Sequence, residues 1–252
     1  MANLSPFVET SALPASLLRI DQPQWPTSRL TGAAVVDELA QKLDQQTIIR
    51  QVTQLQQALD GALSALVSAL DAKDHYTAGH STRVAELAAF MATRMGMSDE
   101  EAEVLRRAGL LHDVGKIGID DAVLRKHGDL TDQEFRAMKR HPVIGYEILK
   151  QIHPFEPLLP AVLHHHECWD GTGYPDGLRG DEIPRLAQII AVADAFDAMA
   201  SDRPYRKGMA PARVREIFER GAGRQWAPNV CMILLESLDE AFKLNSQHRS
   251  SS

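Results

Sequence analysis

An all-α fold is the class this sequence predicts, on three observations. Apolar residues recur at helical spacing through most of the chain, capping patterns open several of those runs, and no alternation of apolar and polar residues lasts long enough for a sheet. The architecture expected is a helical bundle with a helical extension before it.

The elements follow in order. Residues 1–31 are rich in Pro, Ser and Thr and carry no periodicity, which predicts a flexible tail. Over 32–70 the apolar residues Val36, Leu39, Leu43, Ile48, Ile49, Val52, Leu55, Leu59, Leu63, Leu66 and Leu70 fall on one stripe. This is the extension, one long helix or two joined near Gly61. Such a helix can pair two copies into a homodimer, carry a signal from an input module, or pack on its own domain. The domain itself is expected over 71–243. A helix is predicted over 81–94, with Gly96 as its stop signal. Ser98 with Glu101 forms a capping box that opens a helix running to His112, and Thr131 with Glu134 forms another leading toward His141. Further helices are predicted over 145–152, 158–166, 184–200, 211–220 and 227–242. Residues 169–184, with Gly171, Gly173, Gly177 and Gly180, form an irregular loop, and 244–252 a disordered tail.

Bulk properties narrow the function. A chain of 252 residues suits one domain with an extension, and a net charge of -7 argues against duplex nucleic acid or an anionic membrane surface as partner. Two cysteines far apart, Cys168 and Cys231, exclude a disulfide framework and point to a reducing compartment. No basic stretch followed by an apolar one opens the chain, and the longest apolar stretch, 189–195, is too short to span a bilayer. A cytoplasmic protein is expected.

Ten histidines are present, most of them between His75 and His166, several beside carboxylates. That clustering suggests metal. In LLHDVGKIG, His112 and Asp113 end an apolar helix, where an ion would compensate their burial. A capping Asp beside a satisfied His fits this string equally well. Lys116 follows closely, placed to meet an anion. In LHHHECWDGTGYPDGLRG, three consecutive imidazoles cannot all face a core, and the glycines suit a loop pressed against a ligand or another backbone. In AVADAFDAMASDRPYRKG, Asp194 and Asp197 share one face of an apolar helix at i and i+3. Asp194 reads as a ligand, Asp197 as a hydrogen-bonding core or capping residue. Arg203, Arg206 and Lys207 supply cationic donors that suit phosphate. His80 and His141, each opening a predicted helix, complete a set of nitrogen and oxygen donors fit for two first-row ions.

Taken together, HDVGK, the HHE-x-WDG-x-GYP-DGL stretch, and DAFDAM followed by DRPYR resemble the HD-GYP branch of the HD phosphohydrolase superfamily. The resemblance covers residues 71–242, about two thirds of the chain, with the motifs in the family's order. It implies a metal-dependent phosphodiesterase that hydrolyses cyclic di-GMP to pGpG and/or GMP, by in-line attack of a hydroxide bridging two divalent ions about 3.5–4 Å apart. Carried over by position, it implies His80, His112, Asp113, His141, His165, His166 and Asp194 as ligands, with Asp113 bridging. It implies Lys116 as a catalytic and phosphate-contacting residue, and Gly173, Tyr174, Arg203 and Arg206 at the substrate. His164 lies outside the matched HHE and reads as a surface or supporting residue. Some relatives hold a third ion through a glutamate four residues before the first histidine; Tyr76 stands there, so two ions are expected. Iron or manganese suits the donors, with zinc, nickel or cobalt compatible. A cyclic GMP-AMP hydrolase, a catalytically weak cyclic dinucleotide sensor and a module docking diguanylate cyclase (GGDEF) proteins are the alternatives.

Overall fold

The computed structural model describes residues 32–73, 79–126, 128–202 and 206–247. The expected tail over 1–31, Tyr76, Arg203 and the last residues of the expected C-terminal tail lie outside them. Every regular element among the described residues is helical, irregular backbone covers much of 167–179, and an isolated bridge joins Ala222 and Trp226. Two compact units divide the chain, Met1–Gln56 and Gln57–Ser252.

Helix α1 (Gly32–Lys73) runs through Gly61 without a break. Its stripe has two fates. Leu43, Ile48, Ile49, Val52 and Leu55, in the first unit, are exposed. Leu63, Val67 and Leu70 are buried in the second unit, with Leu59 and Leu66 packed on its core. Compactness therefore begins at residue 57, earlier than the expected boundary at 71, because the same apolar spacing is covered on one part of the helix only. The last residue of α1 is tied into the second unit: Lys73 Nζ donates to the carbonyls of Ile117 (2.7 Å) and Ile119 (3.0 Å).

The rest of the second unit comprises α2 (His80–Arg94), α3 (Asp99–Leu111), α4 (Asp121–Leu124), α5 (Asp132–Met138), α6 (His141–Leu149), α7 (Leu159–His164), α8 (Arg185–Ala200), α9 (Pro211–Gly221), α10 (Pro228–Glu236) and α11 (Leu238–Gln247). Both capping boxes form as their sequences require, with Ser98 Oγ accepting from Glu101 N and Thr131 Oγ1 from Glu134 N. Short 3-10 turns cover Val114–Gly118 and His153–Leu158. The helix expected over 227–242 is two, separated at Ser237. The expected tail from 244 is corrected as far as Gln247: α11 continues to it, because Asn245 is buried and hydrogen-bonded inside the bundle.

The apolar faces of α2, α3 and α8 meet in the core, where Val84, Met91, Leu105, Ile189, Ile190 and Phe196 are inaccessible. On one side α6 lies against the Val114–Gly118 turn. Gly115 makes that approach possible: a Cβ there would stand 1.8 Å from the carbonyl oxygen of His141. Only glycine fits, and the HD pair is thereby brought against the start of α6.

Candidate metal centre

Six of the seven expected ligands sit at helix ends. His80 opens α2, His112 caps the C-terminus of α3, and Asp113 starts the turn that follows. His141 opens α6, His165 caps α7 with His166 beside it, and Asp194 alone is mid-helix, on α8. The ends matter because the last carbonyls of a helix lack intrahelical partners. Three imidazoles use them. His112 Nδ1 donates to Gly109 O at 2.7 Å, His141 Nδ1 to Met138 O at 2.9 Å, and His165 Nδ1 to Val162 O at 2.8 Å. A carbonyl can only accept, so each ring carries its proton on Nδ1 and leaves Nε2 as a bare lone pair.

Those lone pairs converge. His141 Nε2 and His165 Nε2 stand 3.3 Å apart, and buried His112 Nε2 has no hydrogen-bond partner. Asp113 faces both sides of the cluster, with Oδ1 at 3.2 Å from His141 Nε2 and Oδ2 at 3.4 Å from His112 Nε2 and 4.0 Å from His80 Nε2. Asp194 Oδ1 lies 3.3 Å from His80 Nε2. Two sets of donors result, each within 4.8 Å: Asp113, His141, His165 and His166; and His80, His112 and Asp194. The structure thus brings together all seven residues singled out as ligands.

His80 is held differently. Its Nδ1 donates to Asp197 Oδ2 at 2.7 Å, and Asp197 also accepts from Arg83 Nε (2.6 Å), Ser201 Oγ (2.8 Å) and Asn245 Nδ2 (2.7 Å). Asp197 is therefore the hydrogen-bonding core residue its spacing suggested. Arg83 and Asn245 escaped the sequence reading. Arg83 had a signal, since it lies one turn after His80; Asn245, far along the chain, had none.

Electrostatics separate these groups. Burial opposes charge on Asp113, yet the Lys116 ammonium holds its carboxyl well below the usual range. His80 lowers Asp194 against the same burial, and His80 with Arg83 lowers Asp197. Burial, then repulsion from neighbouring histidines, keeps His165 well below 6.5 and brings His166 down to about 4. For His80, burial is outweighed by Asp194 and Asp197, and the value rises to about 10.

The remaining expected residues are distributed as follows. Lys116 Nζ lies 2.6 Å from Asp113 Oδ2. Tyr174 stacks on His166, with ring centroids 4.8 Å apart, and Lys139 Nζ stands 5.0 Å from the Tyr174 centroid. Burial, then Asp113 and Asp194, raises the Tyr174 hydroxyl above its ordinary value. A cavity of about 480 Å³ is lined by His165, His166, Asp194 and Tyr174 and, on apolar sides, by Met199, Ile217 and Trp226. Gly173 is not among its lining residues. A Cβ there would stand 2.2 Å from Cys168 N, so the close approach that demands glycine is to backbone. Arg206 is exposed and donates to the carbonyl of Ala198, which lines the cavity. His164, read as a surface or supporting residue, is largely buried, and its Nδ1 falls in a third group of donors with Glu167 and Asp176.

Comparison with known proteins places this geometry. A family model described as HD domain matches residues 65–230. The chain is 41% identical over 184 residues to 3'3'-cGAMP-specific phosphodiesterase 3 of Vibrio cholerae, covering 71% of this chain and 40% of that protein. It is 36% identical over 210 residues to a cyclic di-GMP phosphodiesterase response regulator of Xanthomonas campestris, covering 82% and 56%. To a cyclic di-GMP phosphodiesterase of Thermotoga maritima it is 43% identical over 171 residues, covering 65% and 45%. The chain thus spans about half the length of these relatives. Among solved structures, an HDG"Y"P protein from Bdellovibrio bacteriovorus shares the fold, with a TM-score of 0.52, 22% identity, and coverage of 64% of this chain and 51% of that one.

Proposed function

The chain belongs to the HD-domain family, on its HD-GYP branch, and from that premise we propose that it is a metal-dependent phosphodiesterase opening cyclic di-GMP to pGpG and then GMP. The observation that carries this reading is the pair of bare Nε2 atoms of His141 and His165, 3.3 Å apart and facing Asp113. Two lone pairs at that distance repel unless a cation draws them together.

Imidazoles and carboxylates in this mixture fit divalent first-row ions, iron or manganese before zinc, nickel or cobalt. Asp113, His141, His165 and His166 would hold one ion, and His80, His112 and Asp194 a second, with the two Asp113 oxygens turned to the two sets. When bound, such ions supply Lewis acidity toward phosphate oxygens and lower the pKa of water toward ~7. The residues around them do the rest. Lys116, beside Asp113, offsets charge that builds on the phosphate in the transition state. Arg206, with Arg203, is suited to the second phosphate of the ring. Tyr174 stays protonated at neutral pH and offers a neutral hydroxyl to the cavity wall. Apolar Met199, Ile217 and Trp226 give a purine base a surface to lie on.

A second reading, hydrolysis of 3'3'-cGAMP, is favoured by the 41% identity to the Vibrio cholerae enzyme. One experiment decides. Protein loaded with Mn²⁺, or with Fe²⁺ under anaerobic conditions, is incubated with cyclic di-GMP and with 3'3'-cGAMP, and products are resolved over time. We expect pGpG followed by GMP. Faster loss of 3'3'-cGAMP would support the second reading. Binding of both without cleavage would sink the hydrolase reading and leave a sensor. Pairing of two copies through the exposed apolar stripe of α1 and docking of a diguanylate cyclase are further parts of this proposal.

A further inference from the structure

Three donors outside the seven meet where the histidine run leaves α7. His164, Glu167 and Asp176 each offer one ligand atom, all within 4.8 Å of one another. The Glu167 side chain is wholly buried. Its Oε1 accepts from the backbone N–H groups of Asp176 (2.8 Å) and Gly177 (3.1 Å), while Oε2 accepts nothing. His164 Nδ1 is likewise buried without a hydrogen-bond partner. It stands 3.7 Å from Glu167 Oε1 and 3.8 Å from Asp176 Oδ2, too far for hydrogen bonds.

A buried carboxylate with an unmatched oxygen is costly unless positive charge compensates it. Nitrogen and oxygen ligands bound at about 2.0–2.2 Å to one ion stand roughly 3–4 Å apart, as His164 Nδ1 does from both acids. An imidazolium at His164 would also supply charge, but it would close to hydrogen-bond distance on at least one acid. Asp176, whose side chain is 58% exposed, leaves a route in from solvent.

We propose that His164, Glu167 and Asp176 bind one divalent first-row ion, separate from the seven-residue centre, that clasps the loop carrying Tyr174 to the end of α7. Tyr174 stacks on His166, two residues from His164, so the clasp steadies one wall of the cavity.

The test uses the full chain equilibrated with Mn²⁺ alone and then assayed for bound manganese. Wild type is compared with Asp176→Ala, which alters an exposed side chain, and with His164→Gln. Each variant should hold one manganese per chain fewer than wild type and keep the others. A second readout uses an Asp113→Ala background: Mn²⁺ should slow amide exchange over 168–177, and adding Asp176→Ala should abolish that slowing. Equal manganese in all three proteins would overturn the proposal, as a His164 imidazolium predicts. Loss of every ion in both variants would overturn it too, since the cluster would then belong to the main centre.

Discussion

The two donor sets of the main cluster are built from the same residue types at similar depth, yet His80 in one tends to carry charge while His165 and His166 in the other stay neutral. In the set of Asp113, His141, His165 and His166, backbone carbonyls tie off the Nδ1 atoms of His141 and His165. Burial and mutual repulsion then hold His165 and His166 neutral. In the set of His80, His112 and Asp194, the carboxylates of Asp194 and, behind the ring, Asp197 make His80 a strong base. Burial alone therefore does not decide an imidazole's state. The carboxylates on the two sides of His80 do. The first set is ready to coordinate as it stands, whereas the second must release the His80 proton when an ion enters.

The largest effect should come from the residue that faces both sets. Asp113→Ala should lower turnover of the preferred dinucleotide by about three orders of magnitude or more, roughly 4 kcal/mol of transition-state stabilisation, with loss of bound metal. Steady-state rates beside elemental analysis would check this. An ion kept in one set would mean the two are independent, and the comparison would have to be redrawn. Lys116→Ala sharpens the division between ligand and substrate contacts: a drop of about 10²-fold in rate with metal content retained is expected. Parallel loss of both would make Lys116 a support for Asp113 alone.

Asp197→Asn addresses the asymmetry directly. It keeps the side chain's size but removes the charge behind His80, and metal affinity should fall about 10–100-fold, read by competition with a chelating dye. An unchanged affinity would mean that a neutral acceptor serves as well as a carbonyl does in the other set.

The smallest effect is on the stability of chelator-treated protein. The folded value of His166, about 4, lies below its unfolded 6.5, so its contribution is complete above 6.5 and lost as pH falls toward 4. The folded value of His80, about 10, lies above 6.5, so its contribution is complete below 6.5 and lost as pH rises toward 10. Melting temperature should therefore peak near pH 6.5 and decline on both sides, by roughly 2–4 °C for each kcal/mol lost. A peak at either extreme would refute the opposed tendencies of the two sets.

Much of the fold was legible because helix signals are local. Ser98 and Thr131 cap where their boxes say, and the spacing of Asp194 and Asp197 placed both on one face of α8. The gathering of donors was legible from the clustering of histidines beside carboxylates, since a single His–Asp pair fits a capped helix end equally well. What stayed hidden depends on tertiary contact. The break at Ser237, the burial of Asn245 and the division of α1 into exposed and covered stretches have no local cause. Nor could spacing show that Gly173 serves a backbone contact, or that the Nδ1 protons of three histidines end on carbonyls one turn behind them.

The anchorage of Lys73 has a mechanical reading. Its ammonium grips the carbonyls of Ile117 and Ile119, immediately after Lys116 in the chain, while Arg125 holds the Lys73 carbonyl in return. The final turn of α1 is thus fastened at two carbonyls to the strip of backbone from which the Lys116 side chain projects. Helix end and donor cluster are therefore joined through a few bonds, the last of them an ammonium 2.6 Å from Asp113.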